Sequence, residues 1–352
     1  MSPDQLAHMA WRLVAQDKGV LAIDESTGTC NRRFAKLGIP QTADMRRAWR
    51  ELLVTTPNLS QSISAVILYD ETIRQTISGG RTFISLLADA EIIPGIKVDT
   101  GSVELAGHPG EKITEGLDGL NGRLVEYVRI GAIFAKWRGV ITINDSLPSR
   151  GCIEANAQAL ARYAVMCQQV GLVPMVEPEV LMTGNHDIAR CAEVTEAVLR
   201  AVFRHCYEQG VALESVILKP NMVLAGTDCP VQPGLDEVAD TTLAVLLRAV
   251  PAAVPAVAFL SGGQPAELAT ARLNAMNVRF RGRLPWQLAF SFARAIQQPA
   301  LEIWRGQVGN GTAAQAELAH RAECDRAARS GGYDPSMEHN PSVDITHPAL
   351  LQ

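Results

Sequence analysis

The sequence predicts a single-domain α/β protein built as a (β/α)8 barrel. Short apolar runs recur eight times along its 352 residues, helical patterns fill the intervals, and no Pro/Ser-rich linker divides the chain. Near-continuous Val/Ile/Leu runs are what a parallel sheet covered on both faces requires. A doubly wound sheet would place a Gly-rich dinucleotide turn after the first strand, where this chain has Asp24-Glu25-Ser26-Thr27-Gly28.

The chain opens with an amphipathic helical pattern, MSPDQLAHMAWRL. The strand-like runs follow in order: GVLAIDES (19–26), SAVILYD (64–70), PGIKVD (94–99) and IFAKWR (133–138). The second half repeats the theme with LVPMVEPE (172–179), SVILKPNM (215–222), AVAFLSGG (256–263) and LAFSFAR (288–294). Among the helical intervals, residues 155–170 put Ala157, Leu160, Ala161, Ala164 and Cys167 on one face and stop at Gly171, as a helix C-cap does. Residues 187–208 and 236–249 read the same way, with Asn185 or Asp187 capping the first of them. The barrel with its N-terminal helix is expected over residues 1–305. A helix at 313–329 and a mobile tail complete 306–352.

Apolar residues make up 47% of the chain and charged residues 20%, enough to build a sizeable core. A net charge of −5 gives no basis for nucleic acid or an anionic membrane as partner, so an anionic substrate must be held by local basic residues. Seven scattered cysteines without a CxxC pair point to reduced thiols and a cytoplasmic protein. The N-terminal pattern lacks the apolar core and cleavage site of a signal peptide, and no window reaches the length of a membrane span.

In a barrel the chemistry sits at the C-terminal ends of strands. Asp24, Lys97, Lys136, Arg138, Glu177, Glu179, Lys219, Ser261, Ser291 and Arg294 all fall there. Residues two apart share a face, which pairs Lys136 with Arg138 and Glu177 with Glu179. A single polar or charged residue at a loop edge is ordinarily solvated and idle, but ten at one end of one barrel are not. Lys219 follows Val216-Ile217-Leu218 and precedes Pro220, where a buried strand must stop for want of an amide donor. A desolvated lysine has a lowered pKa, the more so if Lys136 and Lys97 repel it, and supplies the neutral amine that attacks a ketone. Glu177, also before a proline, suits a proton shuttle with its pKa raised by an apolar rim. Asp24 either orients Lys219 or takes a hydroxyl proton during bond cleavage.

Ser261-Gly262-Gly263 after the seventh run, with Ser291 and Arg294 at the eighth, read as a phosphate site, because small residues let backbone amides approach an anion. Ser26, Thr29, Arg33 and Lys97 offer a second anion site at the opposite rim. Two such sites flanking a lysine imply an elongated, doubly phosphorylated substrate. The seven histidines are dispersed and none stands at a strand end in ligand spacing, so neither a metal nor any other cofactor is expected at this site.

Together these blocks resemble the class I, Schiff-base-forming fructose-1,6-bisphosphate aldolases. LAIDESTGT, PGIKVDTG, LDGL, FAKWR, VPMVEPE, LKPNMV, FLSGGQ and LAFSFARA are in register with that family over nearly the whole chain. The resemblance implies a lyase that interconverts fructose 1,6-bisphosphate with dihydroxyacetone phosphate and glyceraldehyde 3-phosphate in glycolysis and gluconeogenesis. It implies Lys219 as the Schiff-base lysine, Glu177 as general acid–base, and Asp24, Lys136 and Glu179 as supporting groups. Ser261, Gly262 and Arg294 would bind the C1 phosphate, and Ser26, Arg33, Lys97 and Arg138 the sugar and C6-phosphate end. It also implies a homotetramer whose partners are small sugar phosphates.

Two positions depart from the family. The animal branch ends in a tyrosine that closes over the site, whereas this chain ends Pro348-Ala349-Leu350-Leu351-Gln352 and its last tyrosine is Tyr333, which leaves open a preference for fructose 1-phosphate. Ala293 replaces a common glycine beside Arg294, adding a methyl next to the phosphate site. The alternatives are a Schiff-base aldolase or transaldolase for another ketose phosphate, and a catalytically silent barrel that only binds.

Overall fold

The computed structural model describes residues 2–15 and 17–339. Eight strands close into a barrel: β1 (Gly19–Ala22), β2 (Ile63–Leu68), β3 (Ile93–Lys97), β4 (Phe134–Ile141), β5 (Val173–Val180), β6 (Ile217–Leu218), β7 (Ala256–Phe259) and β8 (Gln287–Phe292). Each pairs in parallel with its sequence neighbour, and β1 pairs with β8 to close the ring. Every expected run overlaps one strand, although β1 stops four residues short of Ser26, β4 runs three residues past Arg138 and β6 is only two residues long.

The helices are α1 (Pro3–Arg12), α2 (Thr27–Lys36), α3 (Ala43–Val54), α4 (Asp70–Arg74), α5 (Phe83–Asp89), α6 (Leu120–Ile130), α7 (Arg150–Gln169), α8 (Ile188–Glu208), α9 (Leu235–Ala249), α10 (Ala266–Arg279), α11 (Arg294–Trp304) and α12 (Gly311–Ser330). Their ends obey the capping rules. Asp187, not Asn185, caps α8 by accepting the Arg190 N–H at 2.7 Å, and Gly171 takes φ +86° just past α7. α12 packs against α3, α10 and α11.

Strand alternation separates two cores. Leu21, Val66, Ile96, Trp137, Val176, Leu218, Val257 and Phe290 face the surrounding helices. Val20, Ala22, Ala65, Ile67, Phe134, Met175, Ile217 and Ala289 fill the barrel interior, and Leu6, Ala10 and Leu13 on and just after α1 pack onto them from below. The floor is therefore solid, and only the upper interior has room for polar side chains. Gly95 on β3 makes space for Phe134: a Cβ there would lie 2.2 Å from the ring's Cζ. Gly95→Ala is expected to lower stability by about 1–3 kcal/mol, read as a lower denaturant midpoint at unchanged m-value. An unchanged midpoint would show that the interior is slack.

A two-stranded antiparallel hairpin, Gly101–Glu104 with Lys112–Glu115, follows β3 and was not expected. It is short, charged and largely exposed, so it carries no apolar run. The segment after α12, expected to be part of a mobile tail, is docked as far as it is described. Tyr333 donates its N–H to Asn274 Oδ1 at 3.1 Å and its hydroxyl to Glu338 Oε1 at 2.7 Å, and residues Pro335–Glu338 form a 3-10 turn. The rest of the expected tail, with the chain's last five residues, lies outside the described residues.

Candidate active site

The strand ends converge on one cavity of about 560 Å³. Lys136 and Arg138 enter it from β4, Glu177 and Glu179 from β5, Lys97 from β3 and Ser291 from β8, each on the inward alternation. Asp24 and Lys219 stand just past β1 and β6. The Lys219 N–H still joins the ladder by donating to the Val176 carbonyl at 2.8 Å, but Pro220 cannot continue it. Its side chain is thus fixed by a backbone that ends where the cavity begins.

At the centre Lys136 Nζ lies 2.7 Å from Asp24 Oδ2 and 2.9 Å from Glu177 Oε2, while Lys219 Nζ lies 3.4 Å from Glu177 Oε1. None of the four residues is more than 7% exposed. Burial pulls the Lys219 ammonium below the usual lysine range; Glu177 opposes this and Lys136 adds to it. Lys97 does not take the part expected of it, because its Nζ pairs with Asp99 Oδ1 at 2.6 Å. For Lys136 burial is outweighed by Asp24, Glu177 and Asp99, which hold its ammonium well above the usual range.

Glu177 corrects another expectation. Burial does push its carboxyl up, but Lys136, Lys219 and Arg138 more than cancel this and leave it below the usual range. The apolar rim was only part of its surroundings. In Asp24 burial likewise loses to Lys136 and Lys219, and the carboxyl falls to about 2. The resting site is then an ionised Asp24–Lys136–Glu177 chain with a weakened ammonium beside it.

Beyond this centre, Gly262 and Gly263 adopt φ +61° and +100°, a turn that only glycine makes without strain. A Cβ on Gly263 would lie 2.7 Å from the Arg294 guanidinium, so this glycine shapes Arg294 without itself lining the cavity. Ser261, Gly262, Ser291 and Arg294 do line it, and the buried Ser291 hydroxyl has no hydrogen-bond partner among the described residues. Ala293 sits at φ −111° and ψ −85°, at the N-terminus of α11, and lines the cavity.

The second cluster is not at the opposite rim. Ser26 and Arg33 follow β1, which neighbours β8, and Arg33 donates to Gln297 and Gln298 of α11, each at 3.1 Å. Lys97, on β3, stands apart from them. Arg33 is also engaged by Glu25, which bridges it to Arg50 at 2.9 Å. Arg138 contacts Glu179. Glu25, Arg32, Asp99 and, from the hairpin, Ser102 and Thr114 also line the cavity, although no role was expected of them. Seven cationic side chains (Arg32, Arg33, Lys97, Lys136, Arg138, Lys219, Arg294) face five carboxylates (Asp24, Glu25, Asp99, Glu177, Glu179) there, a locally positive cleft in a chain of net charge −5.

Fold and site together define a barrel enzyme whose charged residues converge around two buried amines, Lys136 and Lys219. A family model described as fructose-bisphosphate aldolase class-I matches residues 5–347. The chain belongs to the class I fructose-bisphosphate aldolase family. It is 55% identical over 334 residues to the probable fructose-bisphosphate aldolase class 1 of Xylella fastidiosa (strain 9a5c), covering 95% of this chain and 99% of that one. It is 49% identical over 316 residues to fructose-bisphosphate aldolase 4, cytosolic, of Arabidopsis thaliana, covering 90% and 80%. Among solved structures, a ternary co-crystal structure of the Plasmodium falciparum aldolase, in complex with TRAP and a small-molecule inhibitor, superposes with a TM-score of 0.92 at 44% identity, covering 94% and 96%. Among the described residues no helix is long and apolar enough to cross a membrane.

Proposed function

We propose that this chain cleaves and re-forms fructose 1,6-bisphosphate through an imine on Lys219. The observation that carries the reading is a buried amine with a lowered pKa, 3.4 Å from an ionised carboxylate and in one cavity with Ser261, Ser291 and Arg294. The neutral Lys219 amine attacks the C2 carbonyl, and Glu177 accepts the proton released as the C–N bond forms. Glu177 returns that proton to the C2 oxygen to give the carbinolamine. A second proton, the one the Lys219 ammonium gave up on becoming neutral, lets that oxygen leave as water and creates the cationic imine. The C4 hydroxyl then loses its proton, the C3–C4 bond breaks, and glyceraldehyde 3-phosphate departs while the electron pair moves into an enamine. Protonation at C3 and hydrolysis free dihydroxyacetone phosphate and restore Lys219.

Glu177 therefore begins as a base and becomes an acid only after taking a proton, in keeping with its lowered pKa. Asp24 stays ionised throughout and anchors Lys136, which leaves the C4 hydroxyl proton to the Glu177–Lys136 pair. Ser261, Gly262, Ser291 and Arg294 hold the C1 phosphate. Lys97, Arg138 and Glu179 meet the sugar and its C6 end, with Ser26 and Arg33 closing the seam between β1 and β8.

Purified protein given fructose 1,6-bisphosphate, with triose phosphate measured by a coupled dehydrogenase, is expected to turn over equally with and without EDTA. Loss restored only by Zn²⁺ would overturn the imine mechanism. Gly263→Ala, which strains φ and displaces Arg294, is expected to raise KM about tenfold with kcat little changed. An unchanged KM would remove Arg294 from phosphate binding. The cytosolic name of the Arabidopsis relative supports a cytoplasmic enzyme. The family resemblance supports a tetramer, which light scattering on the purified protein checks directly.

A further inference from the structure

Far along the chain from the catalytic residues, α12 carries His320 and Cys324 one turn apart. The docked 3-10 turn brings Glu338 to the same spot, so that one donor atom from each lies within 4.8 Å of the others. We propose that His320, Cys324 and Glu338 form a binding site for a thiophilic divalent cation of the zinc class, which staples the turn Pro335–Glu338 to α12. The donor set selects the ion: thiolate and imidazole favour zinc, and they disfavour magnesium and calcium.

The geometry is close to what such an ion needs. On a tetrahedral zinc, a thiolate at about 2.3 Å and an imidazole at about 2.0–2.1 Å stand roughly 3.5 Å apart. Cys324 Sγ and His320 Nε2 are 3.7 Å apart, on rigid helix positions that need no backbone movement. The carboxylate is already oriented: Glu338 Oε1 accepts from the Tyr333 hydroxyl at 2.7 Å, and Oε2 contacts Arg321, which is itself held by Thr270 at 2.8 Å. When one oxygen turns to the ion, the other keeps its donor, as carboxylate ligands in metal sites ordinarily do. A thiolate and a carboxylate balance the ion's double charge, and a water completes the fourth position.

Because Glu338 belongs to a separate turn, binding links that turn to α12 and stabilises the folded state by mass action. The bound ion has no part in the imine chemistry, so its removal is expected to leave turnover below the melting temperature unchanged.

The test is a Co²⁺ titration of tag-free, chelator-stripped protein. One equivalent is expected to produce a thiolate-to-cobalt charge-transfer band with tetrahedral ligand-field bands, bleached by Zn²⁺, and Zn²⁺ alone is expected to raise Tm. Cys324→Ser is expected to abolish the charge-transfer band. Glu338→Gln and His320→Asn, at half-buried positions where the fold tolerates a polar side chain, are each expected to weaken Co²⁺ at least about tenfold and to remove the Zn²⁺-induced rise in Tm. No charge-transfer band in the wild type, a band that persists in Cys324→Ser, or unchanged affinity in Glu338→Gln would each overturn the site.

Discussion

Lys219→Met is expected to reduce kcat by about five orders of magnitude, as loss of a covalent nucleophile does, in a protein that remains folded. Methionine keeps an apolar stem of similar length in a site only 3% exposed and removes an ammonium that burial already destabilises. Glu177 retains Lys136 at 2.9 Å, so no carboxylate is left without a cation. Melting temperature and circular dichroism should match the wild type. A folded variant with more than about a thousandth of the activity would mean that another group forms the intermediate. The lowered pKa of Lys219 has its own consequence. The neutral amine is the reactive form, so kcat/KM should rise with pH through a value below the ordinary lysine value of 10.5.

Lys136→Met should damage both stability and rate. It takes the nearest cation from two buried carboxylates at once, a loss of about 3–5 kcal/mol at neutral pH. It also removes the largest of the three cationic influences that keep Glu177 ionised, leaving Lys219 at 3.4 Å and Arg138. About 10²–10⁴-fold in kcat is expected to go with it. The pH dependence separates this from a simple packing defect. In the wild type Asp24 has a folded pKa of about 2 against a usual 3.8, so its contribution is present above 3.8 and lost as pH falls through 2. In the variant burial acts on Asp24 with less opposition and its folded pKa rises. A raised carboxylate pKa gives stability that is present at low pH and lost as pH increases through that value. The gap in stability between wild type and variant should therefore narrow from pH 8 to pH 5. A gap that stays constant would show that Lys136 is not the counter-ion of these carboxylates.

The barrel was legible because buried parallel strands leave apolar runs, and the inward residues of those runs carry the chemistry at every second position. Lys136, Arg138, Glu177 and Glu179 reach the cavity by that alternation, and Lys219 by the proline that ends its strand. The hairpin left no trace because its strands are only four residues long and carry no apolar run, yet Ser102 and Thr114 on it line the cleft. Glu25 stands next to Asp24 on the opposite alternation, and its bridge between Arg33 and Arg50 depends on two helices whose approach no local pattern encodes. The ionisation of Glu177 was misjudged for a related reason. A strand pattern shows that a residue is buried, but the cations around it come from β4 and β6, and only the closed barrel brings them within reach. The His320–Cys324–Glu338 cluster lies away from the strand ends, on a helix and a turn fourteen residues beyond Cys324, where nothing directed attention.

The central claim is that Lys219 forms the covalent intermediate. Borohydride reduction in the presence of fructose 1,6-bisphosphate or dihydroxyacetone phosphate, followed by peptide mass spectrometry, tests it most directly. A substrate-dependent secondary-amine adduct on Lys219, absent without substrate, is the predicted result. An adduct on Lys136, Lys97 or any other lysine, or no adduct in protein that turns substrate over, would contradict it.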